Sequence, residues 1–194
     1  MINIVLFGPP GSGKGTQAQF LEEKFNLKQL STGDMFRYNL KNGTELGKLA
    51  QSFMDKGHLV PDEVTTNMLR EEIKKHTGFA GFIFDGYPRT TAQAISLDAI
   101  LKEDLNQEVS VTLSLKVEDE ILVQRLLGRG KDSGRADDAN EDVIRDRIVE
   151  YYTKTDEVAE HYKTQNKYVE INGVGEVSEI TQKLFDAIES TLNS

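Results

Sequence analysis

The feature that most constrains this chain is a glycine-rich loop at residues 8–16, which read GPPGSGKGT. The loop directly follows an apolar segment at residues 2–7 and directly precedes a segment of helical periodicity that begins QAQFLEEKF. Glycines let successive backbone N–H groups point inward, the next helix adds the positive end of its dipole, and Lys14 adds a point charge. The order of strand, loop and helix therefore predicts a phosphate-binding loop.

The residue after Lys14 departs from the usual pattern of such loops. Many of them place Ser or Thr there as a direct magnesium ligand, whereas this chain has Gly15 and brings the hydroxyl one residue later, at Thr16. We therefore expect no direct protein ligand for the metal. Asp85 follows the apolar run FIF and could hold a magnesium ion through water, since this ion keeps several of its water molecules.

Apolar and β-branched segments alternate with helical segments along the chain. The predicted strands are residues 2–7, 82–84, 109–115 and 168–171, with a weaker candidate at 28–30. The predicted helices are residues 14–25, 61–75, 91–103, 118–127, 140–163 and 176–191. This alternation is typical of an α/β fold in which helices flank a parallel sheet.

Two segments fit the alternation poorly and are the predicted insertions. Residues 31–60 contain two short helical stretches, broken at Asn42-Gly43 and at Gly57. Residues 128–138 read GRGKDSGRADD, which is too rich in glycine and charge for an interior helix. The chain has 194 residues and no repeat or Pro-rich linker, so we predict one domain with two mobile insertions.

The composition excludes several function classes. The net charge of −9 disfavours a general attraction to nucleic acid or to an anionic membrane. The absence of cysteine excludes disulfides, thiolate catalysis and a zinc site built on thiolates. There is neither a signal-peptide pattern at the N-terminus nor an apolar run long enough to span a membrane. We expect a cytoplasmic protein.

The arginines predict two phosphate-bearing ligands. Six of the eight lie at positions that other arguments already single out: Arg37, Arg89, Arg125, Arg129, Arg135 and Arg147. The guanidinium fork matches phosphate geometry and keeps its charge. ATP and a monophosphate together carry roughly six negative charges. One nucleotide alone would not require so many arginines in an acidic protein.

Helical spacing separates these arginines from ordinary surface charges. Arg125 and Arg129 are four residues apart, so they share a face that points toward residues 128–138. Arg147 shares a face with Ile144 and Ile148, which directs it inward. In contrast, Arg145 follows Glu141 by one turn and Arg70 stands beside Glu71 and Glu72, which is typical of helix surfaces.

No general base is evident. His58, His76 and His161 lie in unrelated polar contexts without metal-ligand spacing, and we interpret them as surface residues where catalysis is concerned. A phosphate acceptor needs no deprotonation near neutral pH, whereas a hydroxyl acceptor would require a positioned carboxylate. The absence of an evident general base therefore fits transfer to a phosphate, with catalysis by positioning and charge stabilisation.

These motifs, in their order and spacing, resemble the adenylate kinase family over essentially the whole chain. The blocks that carry the resemblance are GPPGSGKGT at 8–16, STGDMFR at 31–37, GHLVPD at 57–62, FDGYPRT at 84–90 with Gln93, QRLLGRG at 124–130, GRADD at 134–138 and R-x-R at 145–147. The resemblance implies a P-loop NTPase fold with a five-stranded parallel sheet, a monophosphate-binding insertion at 31–60 and a lid at 128–138. It also implies magnesium-dependent transfer from ATP to AMP, giving ADP, by a monomer.

The resemblance also implies roles for particular residues. For ATP, the loop Gly11, Ser12, Gly13, Lys14, Gly15 and Thr16 would hold the phosphates, and Arg125 and Gly175 would contact the base. For AMP, Thr32 and Gln93 would recognise the base, Arg37 and Arg89 would clamp the phosphate, and His58, Leu59, Val60, Gly86, Tyr87 and Pro88 would line the site. Arg129, Arg135 and Arg147 would converge on the phosphates when the lid closes.

The lid segment resembles the short form of the family. The segment from Gly128 to Asp138 has only eleven residues and no cysteine, so we expect no structural zinc. Asp137 and Asp138 either latch the lid to arginines or remain solvated charges at a helix start, and the sequence leaves both open.

Two rival functions also remain open at this point. A UMP/CMP kinase would share the fold and differ in its base contacts, against which Thr32 and Gln93 argue moderately. A P-loop switch or hydrolase would bind one nucleotide. The pair Asn166-Lys167 hints at a guanine-reading NKxD motif, but Val169 occupies its fourth position. A noncatalytic nucleotide-binding module is a further alternative.

Overall fold

A five-stranded parallel sheet forms the centre of the computed structural model, which describes residues 1–193 apart from the side chain of Asp156. The strands are β1 (Ile2–Phe7), β2 (Lys28–Ser31), β3 (Gly81–Asp85), β4 (Val111–Lys116) and β5 (Tyr168–Asn172). Their order across the sheet is β2-β3-β1-β4-β5, and every pairing is parallel. The predicted α/β sheet is confirmed, including its weakest member, the strand near residues 28–30.

Helices cover both faces of the sheet. They are α1 (Lys14–Phe25), α2 (Thr32–Lys41), α3 (Glu45–Met54), α4 (Asp62–Lys75), α5 (Thr91–Leu105), α6 (Asp119–Ser133), α7 (Glu141–Glu150), α8 (Asp156–Lys163) and α9 (Val177–Leu192). A 3₁₀ turn at Ala136–Asp138 precedes α7, and a π turn at Tyr151–Thr155 joins α7 to α8. The π turn divides the single helix predicted at 140–163.

The central strand β1 shows why the sheet must be buried on both sides. Val5 and Phe7 pack into one apolar cluster with residues of α4, α5 and α8, whereas Ile4 and Leu6 pack into another with α1 and α9. Successive strand side chains point to opposite faces, so a continuously apolar strand needs cover on both. This arrangement leaves the carboxyl ends of the strands at one edge of the molecule.

The insertion at residues 31–60 packs α2 against α3 around a small apolar cluster of its own, which includes Phe36, Ala50 and Val60. Gly47 allows the close approach, since a Cβ there would overlap the backbone of Asn39 and Leu40. The hydroxyls of Ser31 and Thr44 cap the two helices by accepting the N–H groups of Asp34 and Gly47.

Helix α6 is longer than its sequence predicts. The expected end at residue 127 was wrong, because the helix continues to Ser133 and Gly134 closes it in the left-handed conformation. This extension is largely exposed, so the charges of Lys131 and Asp132 remain solvated. Gly130 faces the 3₁₀ turn, where a Cβ would lie 2.5 Å from the carbonyl oxygen of Asp138. Gly130 is one of the glycines that suggested a loop, but in the structure it allows α6 to pack closely against the 3₁₀ turn.

Two alanine substitutions in this extension are expected to act in opposite directions. Gly128→Ala places a Cβ in open space within a helix and should stabilise the protein by about 0.5–1 kcal/mol. Gly130→Ala must displace the backbone at Asp138 and should lower the Tm. Thermal unfolding of the two variants beside the wild type measures both effects. Equal Tm shifts would contradict the packing role of Gly130.

Within residues 1–193, none of the helices combines the length and the apolarity that crossing a membrane requires.

Candidate nucleotide site

A cleft of about 660 Å³ opens at the carboxyl ends of the strands. This is where ligands bind in open parallel sheets. A smaller cavity of about 80 Å³ adjoins it beneath the α2–α3 insertion. Both cavities are lined by three arginines, Arg37, Arg89 and Arg147. Cationic side chains therefore occupy the junction of the two spaces.

The phosphate loop forms one wall of the large cleft. Gly11 and Gly13 adopt φ values of 83° and 99°, which side chains with a Cβ rarely tolerate. Helix α1 begins directly at Lys14 and has no acidic residue in its first turn. The unpaired N–H groups of this helix start and the dipole behind them suit an anion. Ser12, Gly15 and Thr16 also line the cleft, as the sequence predicts for a phosphate loop.

Lys14 reaches across this loop. Its Nζ donates hydrogen bonds to the carbonyl oxygens of Gly8, at 2.7 Å, and Pro9, at 3.0 Å. Burial lowers the pKa of Lys14, the charge of Asp85 opposes this effect, and the positive charges of Arg89, Arg147 and Arg129 add to it, so that the pKa is about 8. The protein groups around Lys14 are therefore short of negative charge, which a polyphosphate would supply.

The lowered pKa of Lys14 predicts a pH-dependent stability difference. Keeping Lys14 protonated costs stability below pH 8, and this cost disappears as the pH rises toward 10.5, the ordinary value of lysine. Without nucleotide, the Tm of Lys14→Met minus that of the wild type should be more positive at pH 7 than at pH 10. Circular dichroism melts at both pH values measure it. Lys48→Met, at an exposed position, is the matched control. A pH-independent difference for Lys14→Met would refute the assignment.

Asp138 joins two of the predicted phosphate-binding arginines. Its side chain is buried, and its oxygens accept hydrogen bonds from Arg129 at 2.7 and 3.0 Å and from Arg147 at 2.7 Å. Burial alone would raise the pKa of Asp138, but the hydrogen bonds from Arg129 and Arg147 lower it below its ordinary value. Asp137 lies 3.1 Å from Arg147. The structure favours the latch over the solvated alternative.

A second carboxylate, that of Asp34, pairs with Arg37 and Arg135. Asp34 lies 2.6 Å from Arg37 and 3.5 Å from Arg135. Burial alone would raise the pKa of Asp34, whereas its bond from Arg37 lowers it. Sequence reasoning missed this residue, although its spacing of three from Arg37 on one helix was a usable signal. Carboxylates thus lie within ion-pair distance of four of the six singled-out arginines.

Arg89 is another of the arginines that line both cavities. Its Nε donates to the carbonyl oxygen of Gly86 at 2.8 Å. Burial lowers the pKa of Arg89, and the charge of Arg147 lowers it further. The Thr32 hydroxyl donates to the same Gly86 carbonyl at 2.9 Å. The segment after β3 therefore brings Thr32, Gly86 and Arg89 together.

Gln93 has a fixed orientation beside Arg89. Its side-chain oxygen accepts the Arg89 N–H at 2.7 Å, and its amide nitrogen donates to Asp62 at 2.8 Å. Thr32 and Gln93 both line the smaller cavity with His58, Leu59 and Val60. Tyr87 and Pro88 line the larger one. The Tyr87 ring is buried in the core, and its hydroxyl forms a hydrogen bond with the Thr66 hydroxyl. Burial raises the pKa of Tyr87 to about 12.

The opposite end of the large cleft lies beside α6 and β5. Arg125 donates to the carbonyl oxygens of Gly11, at 3.4 Å, and Gly173, at 3.3 Å. Gly175 lines this end with a φ of 131°. Gly173 was not singled out from the sequence; its position just after a strand was the available signal.

Asp85 lies at the floor of the cleft, and its carboxylate accepts a hydrogen bond from Gln29 at 3.0 Å. Among residues 1–193 there is no group of three or more His, Cys, Asp or Glu side chains arranged for a metal ion. A lone carboxylate near the phosphate loop fits a magnesium ion that keeps most of its water ligands and binds with its nucleotide.

The other two arginines and two of the histidines lie outside both cavities. Arg145 pairs with Glu120 and Glu141 at the surface, and the sequence analysis predicted the pair with Glu141. Arg70 is also a surface residue, but it pairs with Asp104 and Glu103 of α5. His161 pairs with Asp98 at 2.7 Å and His76 with Glu72 at 3.1 Å, both outside the two cavities.

A phosphate loop, a parallel sheet and two adjoining cavities with arginines between them define the class: this is a P-loop phosphotransferase that acts on nucleotides. Among known families, residues 6–167 match adenylate kinase. The adenylate kinases of Flavobacterium psychrophilum and Flavobacterium johnsoniae are 57% and 58% identical over 190 residues, which is 98% of this chain and all of theirs. That of Bacteroides fragilis is 47% identical over the same length. The chain belongs to the adenylate kinase family.

Proposed function

We propose that this chain transfers the terminal phosphoryl group of ATP to AMP, reversibly and with magnesium, through the residues described above. The observation that carries the proposal is the junction of two cavities, where Arg37, Arg89 and Arg147 line both spaces. A transferred group must pass between two bound phosphates, and such a junction is where its charge develops.

The large cleft suits ATP. The loop from Gly11 to Thr16 would hold the phosphates, Lys14 would follow the transferred group, and Arg125 and Gly175 would lie beside the base. Magnesium would supply positive charge that offsets the charge of the ATP phosphates. Asp85 would hold the ion through its water ligands.

The smaller cavity suits AMP. Thr32 and Gln93 would meet the base, with the backbone of residues 58–60 and of Gly86 around it. Tyr87 and Pro88 would line the site from the side of the larger cavity. Arg37 and Arg89 would clamp the monophosphate, and Arg129, Arg135 and Arg147 would neutralise the group in transit. The phosphate acceptor is already ionised near neutral pH, so none of the described residues needs to remove a proton.

Closure of the insertions at 31–60 and 128–138 would exclude water, which would otherwise take the phosphoryl group. We expect a monomer to be the active unit. Its ligands would be ATP, AMP and ADP.

A coupled assay of ADP formation tests the proposal. ATP and magnesium are held constant while AMP, CMP, UMP or GMP is added in turn, beside a control without acceptor. A strong preference for AMP, with little hydrolysis in its absence, is expected. A preference for UMP or CMP would overturn the base assignment. Equal turnover without any monophosphate would overturn kinase activity itself.

A further inference from the structure

The π turn at Tyr151–Thr155 brings a buried hydroxyl to the cleft. Thr155, its last residue, has only 3% of its surface exposed and lines both cavities. π turns inside longer helical segments often occur at functional sites. The sequence-based reasoning assigned Thr155 no role, so its contacts require an explanation.

Thr155 holds the backbone of Arg89. Its Oγ1 donates a hydrogen bond to the Arg89 carbonyl oxygen at 3.1 Å, across 66 positions of the chain. On the other side of the same residue, the N–H group of Arg89 donates to Gln93 at 2.7 Å. Two uncharged side chains, from the π turn and from α5, thus hold the two peptide groups that flank the Arg89 Cα.

The surroundings of Arg89 explain why such a hold is needed. Its guanidinium donates to the Gly86 carbonyl, but it also faces the positive charges of Arg147 and Arg37. Burial lowers its pKa and Arg147 adds repulsion, which the negative charge of Asp85 offsets only in part. A bound phosphate would supply the remaining negative charge. Uncharged backbone contacts can hold the residue without competing for that phosphate.

We propose that Thr155 is a positioning residue, which fixes Arg89 for the phosphate of AMP through the hydrogen bond to its carbonyl oxygen. The inference rests on the proposed function, because it takes Arg89 as part of the AMP clamp. Thr155 itself is not expected to touch the reacting atoms. Its loss should weaken AMP binding and leave ATP binding in place.

Thr155→Val tests the inference, since it removes the hydroxyl with little change in shape. We expect the KM for AMP to rise about 5- to 10-fold, the effect of one lost hydrogen bond, while the KM for ATP stays within about twofold. Thr155→Ser keeps the hydroxyl and should retain near wild-type values. Thr155→Ala serves as a second hydroxyl-free variant, with the same expected split, should Thr155→Val not fold.

A matched control lies on the same turn. The exposed Thr153 hydroxyl donates to the Val149 carbonyl at 2.8 Å, so Thr153→Val removes a comparable bond away from Arg89 and should change neither KM. In an Arg89→Ala background, Thr155→Val should raise the KM for AMP no further, because its effect passes through Arg89.

The outcomes separate the inference from the function beneath it. If the wild type turns over ATP without a monophosphate, both fail. If turnover needs AMP but Thr155→Val leaves its KM unchanged, the inference alone fails. It also fails if both KM values rise together with a lowered Tm, since that pattern indicates a general structural role.

Discussion

Replacing Lys14 by methionine is expected to lower kcat at least ~100-fold with the fold retained. The ammonium lies within the phosphate loop, in a site where burial and three arginines already lower its pKa, so its charge is poorly screened. Removal of one such charge from a preorganised site typically costs two to three orders of magnitude in rate. Steady-state kinetics at saturating ATP and AMP measure it.

Lys48→Met is the control for this experiment, because Lys48 is exposed and pairs with Glu45 on the surface of α3. It should leave kcat unchanged. Near wild-type turnover by Lys14→Met would remove Lys14 from the mechanism.

Arg89→Ala is expected to lower kcat/KM for AMP at least ~100-fold. Arg89 lines both cavities, so it can contact the acceptor phosphate and the group in transit. The effect should be greater for AMP than for ATP, since the phosphate loop remains intact. Varying each nucleotide at saturation of the other separates the two.

Arg145→Ala is the matched arginine control. Arg145 pairs with Glu120 and Glu141 at the surface and lines neither cavity, so both kinetic constants should stay unchanged. Equal losses in Arg89→Ala and Arg145→Ala would indicate that overall charge matters, not the clamp.

The sheet could be predicted because its signal is local. Strand β1 is apolar at nearly every position, and only burial on both faces accommodates such a strand. The phosphate loop was equally readable, since its glycines and lysine are contiguous. For these features, neighbouring residues contain all the necessary information.

The π turn was hidden from sequence analysis for a physical reason. Ile144, Ile148, Val158 and Tyr162 keep ordinary helical spacing, which predicts one helix. In the structure, Ile144 and Ile148 belong to a cluster with α6, whereas Val158 and Tyr162 belong to the core beside β1. Periodicity alone does not show that the apolar residues of one predicted helix face pack into two different clusters.

The carboxylate partners of the arginines escaped prediction because tertiary contacts select them. For Asp138, the sequence left open both a pairing with arginines and a solvated charge at a helix start. Asp34 was overlooked, although it lies within the motif STGDMFR, which was quoted for other residues. Thr155 and Arg89 are 66 positions apart and meet only through the fold. Pairings of this kind require coordinates.

The pairing of Asp34 and Asp138 with the arginines has a kinetic consequence. In the proposed reaction, entering phosphates would take over guanidinium groups that already have carboxylate partners, so binding would be an exchange and not a simple gain of new bonds. The same carboxylates are in place to pair with those groups again when ADP departs. Each cycle would then end without unpaired arginine charges in the cleft, and we expect this to favour rapid departure of the product.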